Sequence, residues 1–273
     1  MPKSAACILP CALGLALLAA SGCATGRGIA TTPDGDAQAM RAPEAAPPSF
    51  TVLAFLPFDE APVPTLRADD FLAASRAPRE IAVVDGPRSG ERRTVSVVAA
   101  DDGTLRLEEA GDAGVERSVL RRRADGGLTL LSVDTPSEDS RSVFEAGLTY
   151  APEELVPGAT VESASPMRVF LLSTQRERST GRAKRSMRIA GTARVDLSGE
   201  ELEVTVVETE FTARLDAARA ERRATLYIVP GEGVVAERWE ERIVVMGIFP
   251  RTSAETTVTI RATASTDAAK DAP

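Results

Sequence analysis

Residues 93–133 read RTVSVVAADDGTLRLEEAGDAGVERSVLRRRADGGLTLLSV, and this stretch decides the fold. Short runs rich in Val and Leu are separated by turn residues at Asp101-Asp102-Gly103, at Gly111 and at Asp125-Gly126-Gly127. Asp-Gly pairs favour hairpin turns, because glycine adopts a positive φ at no steric cost. The pattern therefore predicts consecutive antiparallel strands that are joined by tight turns.

The second half of the chain continues this alternation with longer strands. Two candidate strands, residues 167–175 and 183–197, flank a polar loop at Gly181. Farther along, Phe211 falls out of phase with the alternating residues before it, which predicts a β-bulge near Val207. Alternation of this kind is typical of antiparallel strands that turn one face to a core and the other to water.

These patterns predict a mainly β fold, an antiparallel half-barrel or open sandwich with at most one or two short helices. The β domain is predicted to cover residues 50–263, with a possible boundary between two lobes near residue 145. Asp69 or Asp70 is suited to cap one short helical turn that ends before Pro78.

The composition excludes several classes of function. The chain carries 40 acidic and 32 basic residues, whereas a nucleic-acid-binding protein needs a basic surface. Histidine is absent, so a Ser-His-Asp triad, a Cys-His pair and a histidine zinc site cannot form. The carboxylate pairs Glu153-Glu154 and Glu240-Glu241 do not converge, because neighbours in a strand point to opposite faces. We therefore expect no enzymatic activity, no metal or cofactor, and no nucleic-acid partner.

The amino terminus has the features of an export signal. Within residues 1–22, Lys3 supplies a positive charge and residues 8–20 are apolar, a run too short to span a bilayer comfortably. The signal ends in Leu18-Ala19-Ala20-Ser21-Gly22-Cys23, which resembles the bacterial lipobox, although that family prefers Leu at the position of Ala20. The resemblance implies transfer of a diacylglyceryl group to the Cys23 sulfur, cleavage before Cys23 and acylation of the new amino terminus.

The lipobox resemblance also implies where the body of the protein is held. Residues 23–49 are rich in Ala, Pro, Thr and Gly, which predicts a disordered tether that begins at the lipidated Cys23. Residues 264–273 are predicted to form a disordered tail. Ala24, rather than Asp, follows the cysteine, and by analogy with Gram-negative sorting this favours the outer membrane. We expect a lipid-anchored protein of the cell envelope that faces the periplasm.

Two turn motifs within residues 154–249 carry a second resemblance. Leu155-Val156-Pro157-Gly158 precedes a long strand, and Pro230-Gly231-Glu232-Gly233-Val234 leads into a final pair of strands. This order resembles an uncharacterised family of envelope proteins with an antiparallel half-barrel, similar in shape to the LolA/LolB and LppX-like lipoproteins. The resemblance implies a curved sheet that wraps an apolar groove for lipid tails.

An arginine-rich stretch surrounds Ser179-Thr180-Gly181, which is interpreted as a hairpin tip. Its basic residues are candidate contacts for anionic headgroups, lipopolysaccharide phosphates or an acidic partner: Arg176, Arg178, Arg182, Lys184, Arg185 and Arg188. The alternative is a solvated hairpin whose charges protect exposed strands. Trp239, the single tryptophan, either lines a ligand groove or packs in the core.

Two hypotheses follow for the body. In the first, its curved sheet binds an apolar or lipid-like ligand. In the second, it is a structural or assembly protein of the envelope that makes protein contacts through its sheet edges or its arginine-rich hairpin. A large exposed apolar concavity would favour the first, and a filled concavity would favour the second.

Overall fold

The computed structural model describes residues 47–72, 77–100, 102–112, 114–245 and 247–260 of the chain. The predicted signal peptide, the lipidation site at Cys23, almost all of the tether and the carboxy-terminal tail lie outside the described residues. Within the described ranges, no helix has the length and apolar character that a membrane crossing requires.

The described residues are almost entirely β-strand. The strands, in chain order, are β1 (Phe50–Pro57), β2 (Leu66–Arg67), β3 (Arg79–Asp85), β4 (Arg92–Ala99), β5 (Thr104–Gly111), β6 (Gly114–Arg122), β7 (Leu128–Thr135), β8 (Ser140–Ala151), β9 (Glu154–Leu155), β10 (Thr160–Leu171), β11 (Glu177–Leu197), β12 (Glu200–Leu215), β13 (Ala218–Val229), β14 (Gly233–Val245) and β15 (Phe249–Thr259). Two short 3-10 helices, Ala68–Phe71 and Pro136–Glu138, complete the described elements. The mainly β prediction with at most two short helices is confirmed.

The main sheet closes into an antiparallel barrel. It has 13 strands, and all of them except β1 form a ring in which β11 pairs with β10 on one side and with β12 on the other. The β11–β12 ladder runs from Gly181–Leu215 to Leu197–Glu200 and joins what would otherwise be the two edges of the sheet. The ring is thus closed, beyond the half-barrel or open sandwich that the pattern predicted, and closure leaves the ring itself without a free edge.

The hairpins predicted for residues 93–133 are confirmed. Strands β4, β5, β6 and β7 are consecutive antiparallel neighbours. Gly103 and Gly126 have φ values of 78° and 93°, the left-handed region that these turns require. Residue 145 lies inside β8, and the ring is continuous across it.

A segment before β3 packs into one end of the barrel. Leu66 and Leu155, paired between β2 and β9, are fully buried, and Phe71 is buried beside them in the core of the barrel. The Asp70 carboxylate accepts hydrogen bonds from the backbone N–H of Arg67 at 2.7 Å and from that of Gly231 at 3.0 Å. The predicted helical turn is present at Ala68–Phe71, but its N-cap is Arg67 and not Asp69 or Asp70. Asp70 is the third residue of the turn, and its carboxylate ties the turn to its own start and to the β13–β14 turn.

A second layer lies outside the ring. Its members are β1, residues 190–197 of β11 and residues 200–204 of β12, and we call it the outer layer. A separate apolar cluster, which includes Val195 and Val204, joins the outer layer to Tyr227 and Val258 on the outer face of the ring. Phe50 of β1 packs edge-on against Tyr227, with ring centroids 4.8 Å apart.

The predicted hairpin tip at residues 179–181 is wrong. The turn between β10 and β11 lies at residues 172–176, and Gln175 adopts the left-handed conformation there with φ of 55°. Gly181 is inside β11, where a Cβ atom would lie 1.9 Å from the carbonyl oxygen of Arg214 on β12. The glycine therefore marks a close approach of two backbones rather than a turn.

The shift in alternation before Phe211 does not come from a bulge in β12, the strand that contains Phe211. The register irregularity lies between Ile189 and Gly191 of β11, opposite Val206 and Val207. Val206 belongs to the apolar cluster of the outer layer, whereas Val207 and Phe211 belong to the core of the barrel. Both faces of β12 are thus buried at the point where the strand passes from the outer layer into the ring.

Candidate functional site

A polar layer crosses the interior of the barrel. It consists of charged or phenolic side chains that point inward from the ring strands and line one cavity: Arg79, Glu109, Glu116, Tyr150, Arg185, Arg222 and Glu237. The cavity has a volume of about 160 Å³, and the remainder of its wall is mostly apolar, with Phe71, Leu107, Leu130 and Phe211 among its members. The lumen is therefore a packed core that leaves one small amphipathic cavity.

Arg222, one member of this layer, packs against Trp239. The Arg222 guanidinium lies 4.7 Å from the centre of the Trp239 ring, and its Nη2 donates a hydrogen bond to Glu237 Oε1 at 2.8 Å. Trp239 is 3% exposed and belongs to the barrel core, so its packing role is confirmed. A cation over a desolvated indole face is a favourable contact in its own right.

Arg185 has a different environment from Arg222. Its guanidinium lies 5.3 Å from the centre of the Tyr150 ring, and its buried Nη1 has no hydrogen-bond partner among the described residues. Burial lowers the pKa of Arg185, and Tyr150 and Glu237 oppose that shift. Burial also raises the pKa of the Tyr150 phenol, which therefore keeps its proton at neutral pH.

Glu116 is a buried carboxyl that prefers its neutral form. It is 3% exposed, and the Thr135 hydroxyl donates a hydrogen bond to its Oε1 at 3.2 Å. Burial raises its pKa well above the ordinary value, and the charge of Glu109 raises it further. Glu116 Oε2 has no hydrogen-bond partner among the described residues, and in the neutral acid one of the two oxygens carries a proton to donate.

A buried ion network adjoins the cavity and includes Glu109. Arg93 donates from Nη1 to Glu109 Oε1 at 2.8 Å, from Nη2 to Glu255 Oε1 at 3.1 Å and from Nε to Glu91 Oε1 at 3.0 Å. Arg88 donates to the other oxygen of Glu255 at 2.8 Å. Burial opposes the charge on Arg93, but the three carboxylates outweigh it and raise the pKa of Arg93. The two arginines and three carboxylates of this network pair with one another, although Arg88 Nη1 has no hydrogen-bond partner among the described residues.

The opposite end of the barrel holds a second buried carboxyl. Burial raises the pKa of Glu138 to about 7, the charge of Glu241 adds to that shift, and Arg251 and Arg178 oppose it. Burial likewise raises the pKa of Glu241, which lies directly across from Arg222 in the β13–β14 ladder. No three His, Cys, Asp or Glu side chains in the described part of the chain are placed to hold a metal ion.

The arginine-rich set is divided between the wall of the cavity and positions outside it. Arg185 lines the cavity, whereas the other members do not: Arg176, Arg178, Arg182, Lys184 and Arg188. Two of them have carboxylate partners on neighbouring strands, since Lys184 lies 3.7 Å from Glu162 and Arg188 lies 2.6 Å from Glu208. A contact with anionic groups through this set stays a prediction, and so does lipidation of Cys23, which lies outside the described residues.

An exposed apolar strand forms a second candidate site, which the sequence reasoning missed. Large apolar side chains of β1 and the residue after it are 39–48% exposed, and we call them the β1 surface: Val52, Leu53, Phe55, Leu56 and Phe58. Residues 50–58, FTVLAFLPF, contain no charged residue, and this was the available signal. Among the described residues β1 pairs with β11 alone, and its ladder is interrupted between Val52 and Ala54.

No family model matches the chain, and no curated protein matches it. One solved structure that is similar to it is the crystal structure of the hypothetical lipoprotein YmcC from Escherichia coli (K12). The two share 11% sequence identity with a TM-score of 0.36, and the match covers 71% of this chain and 91% of that chain. A TM-score of this size supports no inference about function.

Proposed function

We propose that this protein is a non-catalytic lipoprotein of the cell envelope, anchored through lipid on Cys23, whose barrel makes protein–protein contacts through the β1 surface. The observation that carries the proposal is the exposed, uncharged strand β1, which follows directly on the predicted tether. The partner is another envelope protein that presents an apolar, uncharged surface to β1.

The anchor rests on the leader and its lipobox-like end at Cys23. Acyl chains contribute about 0.8 kcal/mol for each buried methylene, so two or more chains hold a protein stably on a membrane. Ala24 favours the outer membrane, with the barrel facing the periplasm. The tether of residues 23–49 would give the barrel a reach of roughly 25–30 Å from the bilayer surface.

The β1 surface favours a protein partner over the bilayer itself. Complete burial of one large apolar side chain contributes about 1.5–3 kcal/mol, so several such side chains left in water mark a contact surface. Strand β12, which lies on the far side of β11 from β1 in the outer layer, carries exposed acidic residues at Glu200, Glu201 and Glu203. Anionic headgroups would be repelled by these carboxylates, whereas an apolar protein surface would not.

The alternative, a carrier of an apolar or lipid-like ligand, has less support in this geometry. The ring is closed, its lumen is filled by the apolar core, and the lumen cavity of about 160 Å³ has three guanidinium groups in its wall. Pockets for drug-sized ligands have volumes of about 300–1,000 Å³. A lipid tail also offers no hydrogen-bond acceptor to a buried guanidinium.

The test is photo-crosslinking in living cells with the full-length chain. A photoreactive phenylalanine analogue replaces Phe55 in one strain and Arg223, on the outer face of β13, in a control strain. We expect one discrete protein adduct from position 55, none from position 223, and loss of the adduct when Leu53→Asp is added. Adducts with lipid alone, or equal capture from both positions, would contradict the proposal.

A further inference from the structure

The cavity contains three guanidinium groups, and only that of Arg185 has neither an ion pair nor a hydrogen bond to a described residue. Arg222 is paired with Glu237 at 2.8 Å, and Arg79 donates a hydrogen bond to the carbonyl oxygen of Val234 at 3.1 Å. Arg185 forms no ion pair with a described residue, and its buried Nη1 has no hydrogen-bond partner among them. A buried cation without a counter-ion is unfavourable, and the face of an aromatic ring compensates for only part of that cost.

The cavity wall sets three guanidinium groups against two carboxylates, those of Glu109 and Glu237, and adds two groups, Glu116 and Tyr150, that can donate hydrogen bonds. Burial and the charge of Glu109 raise the pKa of Glu116, so its carboxyl favours the neutral form, in which the oxygen that has no partner can donate. Burial keeps the Tyr150 phenol protonated as well. Arg185, Glu116 and Tyr150 line the same cavity, and a set of donors of this kind suits an oxyanion.

The rest of the wall and the volume set the shape of the ligand. Phe71, Leu107, Leu130 and Phe211 provide an apolar surface in the same cavity. A protein cavity of about 150 Å³ with apolar walls holds one benzene molecule, so about 160 Å³ suits a ligand of similar size. The chemistry calls for one anionic group on a small apolar body.

We propose that the barrel cavity is a binding site for a small organic carboxylate, with its carboxylate group on Arg185 and its apolar body against Phe71, Leu130 and Phe211. The carboxylate supplies the missing counter-ion and accepts hydrogen bonds from the donors of the cavity wall. This site goes beyond the proposed function, because neither the lipid anchor nor the β1 surface takes part in it.

The test measures binding of butyrate to the full chain by calorimetry, with butyramide as a neutral ligand of the same size. Arg185→Met removes the charge and keeps the aliphatic stem, and Arg182→Met is the matched control on the same strand, because Arg182 is exposed and lies outside the cavity. Ala224→Leu fills the cavity and leaves Arg185 in place. Circular dichroism and thermal unfolding establish that each variant is folded.

We expect saturable binding of one butyrate per chain, with butyramide at least about tenfold weaker because charge-assisted hydrogen bonds are lost. Arg185→Met weakens butyrate by at least about tenfold, Ala224→Leu abolishes binding, and Arg182→Met leaves it unchanged. The proposal is overturned if the wild-type chain shows no saturable binding, if Arg185→Met binds butyrate as well as the wild type, or if butyramide binds equally. Should Arg185→Met fail to fold, the butyramide comparison and Ala224→Leu still decide.

Discussion

Glu109 of β5 and Glu116 of β6 lie directly opposite each other in the ladder, and both side chains point into the barrel. Like charges at such positions are destabilising when both are ionised. The two carboxyls have different hydrogen-bond partners, and this difference reduces the repulsion between them. Glu109 accepts a charge-assisted hydrogen bond from Arg93 at 2.8 Å, whereas Glu116 accepts only from the Thr135 hydroxyl and favours its neutral form.

This difference predicts opposite effects for the same substitution at the two positions. Glu116→Gln replaces a neutral acid with a neutral amide of the same shape, so the free energy of unfolding at pH 7 should equal or exceed that of the wild type. Glu109→Gln removes one of the three carboxylates that accept hydrogen bonds from the buried Arg93 and should cost about 2 kcal/mol. Urea unfolding of both variants checks this. Equal losses would show that the two carboxyls are alike and both ionised.

The stability of the barrel should fall as the pH rises towards neutrality, because of Glu138. Its folded pKa of about 7 lies above the ordinary value of 4.5, so the folded state binds more protons than the unfolded state between these two values. The stabilisation is therefore complete below about pH 4.5 and lost as the pH rises through 7, by up to about 3 kcal/mol. Unfolding by urea across this range should show a shallower decline for Glu138→Gln.

A second readout separates this effect from a general loss of structure. Arg178 is one of the cations that oppose the raised pKa of Glu138, so Arg178→Gln should move the Glu138 carboxyl titration to higher pH. Carbon-13 NMR of the side-chain carboxyls follows this titration directly. A titration of Glu138 near pH 4.5 in the wild type would contradict the account of a desolvated carboxyl at this end of the barrel.

Ring closure should depend on Gly181. An alanine Cβ at this position would lie 1.9 Å from the Arg214 carbonyl oxygen, so β11 and β12 must separate where the ring closes. We expect Gly181→Ala to cost about 3 kcal/mol or more, whereas Arg182→Ala, at the exposed neighbouring position, should change stability by less than about 0.5 kcal/mol. Similar unfolding midpoints for the two variants in urea would exclude a tight backbone approach at Gly181.

Local signals made the strands and hairpins predictable, and long-range register made the ring unpredictable. The turn residues at Gly103 and Gly126 act on their own neighbours, so the hairpins could be predicted from them. Closure depends instead on which residues of β11 meet β12, a match that no local pattern encodes. Gly181 is an example, because the sequence does not distinguish a glycine that permits two strands to approach from a glycine that forms a turn.

The charged residues inside the barrel could not be predicted from the sequence, for a related reason. In the run Val115-Glu116-Arg117-Ser118-Val119, the usual interpretation points the valines inward, whereas the structure buries Glu116 and Ser118 and leaves the valines only half-buried. A charged residue can face a core when its partners come from distant strands, as Arg93 and Glu255 do. Those pairings exist only after folding, so sequence patterns could not reveal the polar layer.

The β1 surface, by contrast, was within reach of sequence reasoning. Residues 50–58 combine three phenylalanines with Val and Leu and contain no charge, directly after a tether rich in proline. Such a run predicts either a buried strand or an exposed contact surface, and only its position outside the ring decides between them.

Lipid on Cys23 is proposed to anchor the chain to the membrane. Mass spectrometry of the intact mature protein tests this anchor. The full-length chain and a Cys23→Ser variant are expressed in parallel, fractionated into membrane and soluble pools, and weighed. We predict a mature wild-type chain that begins at Cys23, carries the added mass of acyl chains and sediments with membranes, while the variant loses both the added mass and the membrane association. An unmodified wild-type chain in the soluble pool would contradict the account.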